Sequence, residues 1–254
     1  MPQLPQSVNI GRIPVHLFTV NSLHAAINNV IEKNGKAKVL HANAYLVSLA
    51  NTSEHWYLPF YNEKVDMCMC DGAGIQLAAK LTGQRVPEKI TYNIWFYEFA
   101  TFCAQNNYSI FLLGSKPNVA ELAIEELTKL NPTLELYCHH GYFNKEKSHP
   151  ENKKVIETIN KVKPNVVLVA FGMPLQEKWI LENFEDVEAN IFLTGGAAID
   201  YMAKIVKNAP AIFSKIYLEW FYRLLREPKR LGRRYTIGNY HFLKAALKYG
   251  KRPF

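Results

Sequence analysis

Val166-Val167-Leu168-Val169-Ala170-Phe171-Gly172-Met173-Pro174-Leu175-Gln176-Glu177 is apolar through its first six residues and then turns through a glycine into a segment of helical period, Leu175 to Phe184. A half-solvated strand alternates polar with apolar residues, whereas one covered on both faces does not, so this run reads as a buried parallel strand feeding a helix that starts at Pro174. The same unit recurs on both sides of it. Val39-Leu40-His41, Val65 to Cys70, Ser109 to Leu113, Leu134 to Cys138 and Ile191 to Thr194 read as strands. Ser22 to Lys33, Gly74 to Leu81, Ile94 to Gln105, Val119 to Leu130 and Glu151 to Val162 read as helices, with Asn118 and Pro150 at helix starts. Such alternation predicts a doubly wound, mostly parallel α/β sheet of the Rossmann-like kind with right-handed crossovers. No internal repeat or low-complexity linker interrupts it.

In sheets of this kind ligands bind beyond the carboxyl ends of the strands. Here those ends run into His41-Ala42-Asn43, Asp71-Gly72-Ala73-Gly74, Gly114-Ser115, Phe171-Gly172-Met173-Pro174 and Thr194-Gly195-Gly196. A glycine after a strand is also ordinary turn chemistry. Several on one rim, with helix N-termini behind them, favour a nucleotide crevice. Its candidate binding residues are His41, Gly72, Gly114, Gly172, Gly195, Gly196 and Asp200. Neither G-x-G-x-x-G nor Walker A, H-E-x-x-H or G-x-S-x-G occurs, which removes the usual support for dehydrogenase, P-loop, zincin and hydrolase readings.

Asp71 ends an apolar strand and precedes Gly72 and Gly74, a position that suits a general base at a cleft edge and equally a helix cap. Gln176, Glu177 and Asp200 are caps or ligands to sugar hydroxyls. No D-x-D is present, and Asp186-Val187-Glu188 lies in an acidic stretch of solvated surface. A nucleotide-sugar enzyme with these residues would neutralise its diphosphate with cationic side chains and helix N-termini, without a metal or other cofactor.

The 254 residues are 48% hydrophobic and 20% charged, which excludes disorder and is long enough for a core that needs no disulfide or metal. Cys68, Cys70, Cys103 and Cys138 lack both C-x-x-C and zinc spacing and read as reduced thiols of a cytosolic protein. Met1 to Pro5 has no signal-peptide character and no apolar run reaches the length of a spanning helix, so neither export nor a transmembrane segment is expected. The net charge of +8 is concentrated: Lys215 to Phe254 holds eleven Lys and Arg against Glu219 and Glu227, leaving +9 there and −1 elsewhere. Phe213, Ile216, Tyr217, Trp220, Phe221, Leu224 and Leu225 form one apolar face of a helix reaching Arg226, before Pro228 breaks it and Lys229 to Arg234 follows. The chain therefore divides into an α/β catalytic domain, 1–209, and a basic amphipathic appendage, 210–254. That appendage either lies on a membrane surface or packs on its own domain.

Asn43 after a strand, Asp71-Gly72, Gly141-Tyr142-Phe143, Phe171 to Glu177, Gly195 to Asp200, and Leu218 to Pro228 fall in the order seen in WecG/TagA/CpsF glycosyltransferases, and the chain resembles that family from about Val8 to Tyr235. The resemblance implies an inverting, metal-independent enzyme. It would move a hexose or N-acetylhexosamine from a UDP-sugar to a polyprenyl-diphosphate-linked sugar, as a peripheral protein on the cytoplasmic face of the membrane. It also implies Asp71 as base, Asn43 and Gln176 in the donor site, and Arg223, Arg230 and Arg233 completing that site from the appendage. Nucleic acid is not an expected partner; a homo-oligomer is left open. The chain departs from the family in having His41 where Thr is usual and Pro87-Glu88-Lys89-Ile90-Thr91-Tyr92-Asn93-Ile94 where Pro-Glu-Arg is followed by Gly and Asp. Tyr92 and Ile94 in place of a small residue and a carboxylate bear on the donor sugar: N-acetylmannosamine first, then glucose, galactose or a uronic acid. An oxidoreductase lacking a dinucleotide fingerprint and an RNA-binding protein lacking a recognisable module are the other classes considered.

Overall fold

A computed structural model of the chain describes residues 4–210, 213 and 219–250. Two short strands, β1 (Ser7–Ile10) and β2 (Ile13–His16), pair antiparallel as a hairpin. The remaining strands are β3 (Ala37–Ala42), β4 (Met67–Cys70), β5 (Ile110–Gly114), β6 (Leu136–His139), β7 (Val166–Ala170) and β8 (Ile191–Thr194). They form a six-stranded sheet in the order β4-β3-β8-β7-β5-β6, with every pairing parallel. All six correspond to strands expected from the sequence. β4, β5, β7 and β8 are buried at every position, as continuous apolar runs require, while β6 is a half-buried edge.

The other edge, β4, is covered by the hairpin, which the sequence reading did not identify. The Cys68 backbone N–H donates to His16 Nδ1 at 3.0 Å, and Ile90 N–H donates to the Cys70 carbonyl at 2.9 Å, so edge groups that would otherwise face water are paired.

Helices cover both faces. α1 (Val20–Glu32), α5 (Tyr92–Gln105), α6 (Val119–Leu130) and α9 (Ala198–Met202) pack residues such as Leu23, Phe96, Ala123 and Ile199 against Val39, Leu112 and Leu168. On the opposite face lie α2 (Ala44–Ala50), α3 (Tyr57–Pro59) with the π-helical turn Phe60–Lys64, α4 (Ala73–Leu81), α7 (Pro150–Val162) and α8 (Leu175–Asn183). They set Leu46, Tyr57, Ile75, Val155 and Trp179 against Leu40, Phe111, Val167 and Phe192. The four cysteines are free, and burial pushes the Cys70 thiol up to about 12.

Beyond α9 the described chain comprises α10 (Glu219–Arg226), α11 (Pro228–Tyr235) and α12 (Ile237–Tyr249). Of the apolar face expected between Phe213 and Arg226, residues 214–218 lie outside the described residues. Pro228 stands in the first turn of α11, where its missing N–H costs nothing, so it opens a helix as well as ending one. α12, which the sequence reading did not single out, inserts Phe242, Ala245 and Ala246 into the apolar cluster beneath α2 and α4. Gly74 lies at this contact: a Cβ there would be tight against Ala44 Cβ, at 3.3 Å, and in ordinary contact with the Phe242 ring, at 3.7 Å.

Candidate active site

β3 sits between β4 and β8, and its register brings three chemically active side chains together. Ala42 pairs with Cys70, so Asn43 and Asp71 leave adjacent strand ends side by side, and Asp71 N–H donates to the Ala42 carbonyl at 2.9 Å. Asp71 Oδ2 lies 3.5 Å from Asn43 Nδ2 and 3.8 Å from His41 Nε2, with a fifth of the side chain exposed. Asn43 also caps α2 by accepting from Leu46 N–H at 3.0 Å, so its amide is held in place while its NH₂ faces the carboxylate. The N-cap of α4 is Gly72, with no side-chain cap bond, which sets aside the cap role for Asp71. His41 is buried; its Nδ1 is taken up by Thr194 on β8, 3.1 Å from the carbonyl and 2.9 Å from the hydroxyl, leaving Nε2 towards Asp71. Burial lowers the His41 pKa, Asp71 opposing, so the ring is neutral near pH 7.

The glycine loops fall into two groups. Gly114 and Gly195 are packing positions, because a Cβ would lie 2.5 Å from the Ala170 carbonyl oxygen in one case and 2.9 Å from Leu168 in the other. Gly72, Gly172 and Gly196 have open space at the same point. The last two, at φ +82° and +55°, are joined from behind by Gln176. Its Oε1 accepts from Gly172 N–H at 3.1 Å and from Gly196 N–H at 2.9 Å, and its Nε2 donates to Glu177 Oε1 at 2.7 Å. Gln176 and Glu177 are fully buried. The structure thus places Gln176 beneath the rim as a latch between two loops, its amide already committed. Tyr57 O–H donates to Glu177 Oε2 at 3.0 Å, and burial pushes Glu177 up to about 7. Asp200 accepts from the Ser115 hydroxyl, which ties the end of β5 to α9.

Of the appendage arginines, Arg223 lies 5.7 Å from the Tyr201 ring and Arg233 is exposed; the Arg230 side chain lies outside the described residues. Among the described residues Arg234, which the sequence reading passed over, also turns inward. Its guanidinium sits 4.3 Å from the Tyr45 ring, and burial and the neighbouring Arg223 lower its pKa while Asp71 opposes them. Leu231, buried three residues earlier on the same helical face, is the signal that distinguishes Arg234 from Arg233.

Among the described residues, six have a buried side-chain nitrogen or oxygen without a hydrogen-bond partner: Asn29, Thr91, Tyr92, Asn131, Arg223 and Arg234. Four of these belong to the two segments beside Asp71, the start of α5 and the appendage. Native structures leave few buried polar groups unpaired, so these four call for an explanation, and a polar ligand or ordered water would complete their bonding. No three His, Cys, Asp or Glu side chains among the described residues converge to hold a metal ion.

A parallel sheet whose rim carries a carboxylate among enclosed arginine and hydroxyl donors has the build of an enzyme that handles an anionic, oxygen-rich substrate. The chain belongs to the glycosyl transferase WecG/TagA/CpsF family, whose sequence model matches residues 8–253, and it is a glycosyltransferase. It is similar to proteins of Staphylococcus aureus strains MW2, NCTC 8325 / PS 47 and COL that bear the name N-acetylglucosaminyldiphosphoundecaprenol N-acetyl-beta-D-mannosaminyltransferase. Each is 30% identical over 203 residues, 78% of this chain and 76% of the relative.

The latch gives a pH signature. A carboxyl raised from 4.5 to about 7 in the fold makes stability greatest below about pH 4.5 and lowers it as pH rises to about 7. By linkage the loss is on the order of 3 kcal/mol. His16, His24, His41 and His139, whose pKa values burial lowers, give the opposite trend as pH falls below their ordinary 6.5, so the Glu177 contribution is read as a difference. In denaturant unfolding between pH 4.5 and 7.5, the stability of wild type minus that of Glu177→Gln is expected to fall as pH rises; parallel curves would contradict the assignment.

Proposed function

We propose that the chain is an inverting, metal-independent glycosyltransferase that moves a hexose or N-acetylhexosamine from a UDP-sugar to a polyprenyl-diphosphate-linked sugar. The observation that carries this reading is the group of unpaired buried donors around Asp71. Asp71 takes the proton of the acceptor hydroxyl as that oxygen attacks the anomeric carbon, and the bond from that carbon to the diphosphate breaks, releasing UDP with the electron pair. Asn43 steadies the carboxylate. Arg223 and Arg234, both with an enclosed and unpaired Nε, meet the charge that grows on the departing diphosphate; a planar guanidinium suits two oxygens at once. The glycine loops at Gly172 and Gly196 leave room for a nucleotide to approach the backbone. The names of the Staphylococcus aureus relatives support a lipid-diphosphate acceptor and N-acetylmannosamine as the first donor to try, with glucose, galactose and uronic acid donors after it.

Asp71→Asn keeps the shape of the side chain and removes its basicity. General-base assistance is typically worth ~10² to 10⁴ in rate, so kcat should fall by that range while UDP still raises the melting temperature. A folded Asp71→Asn protein turning over at the wild-type rate would remove Asp71 from this role.

The lipid-linked acceptor calls for a peripheral position on the cytoplasmic membrane face. No helix among the described residues is long and apolar enough to cross a membrane. Trp220, Phe221 and Leu225 on α10, and Tyr240, Leu243 and Leu247 on α12, are exposed apolar side chains, and Lys229, Arg233, Lys244 and Lys248 are exposed cations on the same appendage. Each cation near an anionic surface contributes about 1 kcal/mol, enough for weak, reversible docking that the apolar side chains strengthen. Co-sedimentation should require vesicles containing anionic lipid, weaken with salt, and fall for a Lys244→Glu/Lys248→Glu variant; equal sedimentation with neutral vesicles would contradict it.

A further inference from the structure

We propose that Tyr92 is a specificity-determining residue whose hydroxyl donates a hydrogen bond to a sugar hydroxyl held against Asp71. This rests on the glycosyl-transfer reading above and adds to it the group that checks the sugar. Tyr92 is the first residue of α5, and the bond from Ile90 N–H to the Cys70 carbonyl, 2.9 Å, stitches the chain just before it onto the end of β4, next to Asp71. Its ring lies 5.0 Å from that of His41 and 5.2 Å from that of Trp95, and only 5% of the residue is exposed. Wedged between two aromatic neighbours, the phenol cannot swing out to water.

Its hydroxyl is nevertheless without a protein partner, as is the hydroxyl of Thr91 one residue earlier, the N-cap of α5, which makes no side-chain capping bond. A buried hydroxyl left unpaired is unfavourable, and the fold keeps two of them at one helix start beside the carboxylate. Burial and the Asp71 charge hold the phenol pKa well above its ordinary value, so Tyr92 presents an O–H at neutral pH and can donate. Asp71 is an acceptor, so Tyr92 supplies the donor that a sugar hydroxyl needs when it gives its own proton to the carboxylate.

The bonded sugar is either the one transferred or the acceptor's terminal one, and both are pyranoses, so the test has two arms. Wild type and Tyr92→Phe, which keeps the ring and hence the packing on His41 and Trp95, are assayed on a panel of UDP-sugars with one lipid-diphosphate-linked acceptor. They are then assayed on monodeoxy forms of the best donor and of the acceptor sugar, with UDP-induced thermal shift as the control for folding. Tyr92→Phe should lower kcat/KM for the parent pair about 10- to 100-fold, the loss expected for one buried hydrogen bond, with the UDP shift unchanged. A single deoxy position, on donor or acceptor, should be as poor a substrate for wild type as the parent is for Tyr92→Phe, and the variant should slow it no further. Unchanged kcat/KM in Tyr92→Phe, or an equal loss on every deoxy analogue, overturns the role of Tyr92 alone. Absence of turnover from every UDP-sugar by wild type overturns the proposed transfer from a UDP-sugar to a lipid-diphosphate-linked sugar, and the role of Tyr92 with it.

Discussion

The position of β3 between β4 and β8 is the constraint on which the site depends. Parallel pairing sets Ala42 against Cys70 and Val39 against Leu193, so the residues just past β3 and β4 emerge together and Thr194 at the end of β8 lies within reach of His41. A one-residue slip would turn His41 to the other face of the sheet and carry Asp71 away from Asn43. The buried apolar faces of these strands prevent that slip, because each side of the sheet is filled by its own helical layer. Packing energy thereby maintains a polar geometry that the polar groups themselves, with contacts of 3.5 and 3.8 Å, are too loosely joined to impose.

The second half of the rim is organised differently. Gly172 and Gly196 belong to separate loops and would move independently were it not for Gln176, whose single carbonyl oxygen accepts from both. Its remaining polar atoms are directed into Glu177 and through it to Tyr57, a network fully enclosed in the apolar layer beneath α8. Such a network is stabilising only when every member is paired. The glycine loops thus gain a fixed separation from chemistry that never meets substrate, which is why Gln176 is better described as positioning the loops than as lining the cleft.

The strands were legible because buried parallel strands carry an unbroken apolar run, and so were the helices whose polar face is clear, such as α6 and α7. The hairpin Ser7–His16 was missed because its two strands are four residues each and one holds Pro14. α12 was missed for a different reason. Phe242, Ala245 and Ala246 face the core while Tyr240, Leu243 and Leu247 face outward, so no single polar stripe marks it as a helix. Asp71 and Asn43 could be picked out from their place after a strand. Arg234 could not be separated from Arg230 and Arg233 without the phase of α11, which depends on where Leu231 is buried. The latch role of Gln176 depends on two loops distant in sequence.

The rim holds one carboxylate, a fifth exposed, beside an amide and an imidazole and near arginines and hydroxyls whose bonds a substrate would complete. In the proposed reaction there is one displacement at the anomeric carbon, with the base on the acceptor side and the cations on the leaving-group side. The anomeric configuration of the transferred sugar tests this most directly. It is read by NMR from the one-bond C1–H1 coupling of the product that the wild-type protein makes from an α-configured UDP-sugar. A β-linked product is the result the account predicts; an α-linked product would contradict it, because a single back-side displacement assisted by Asp71 as base inverts the anomeric centre.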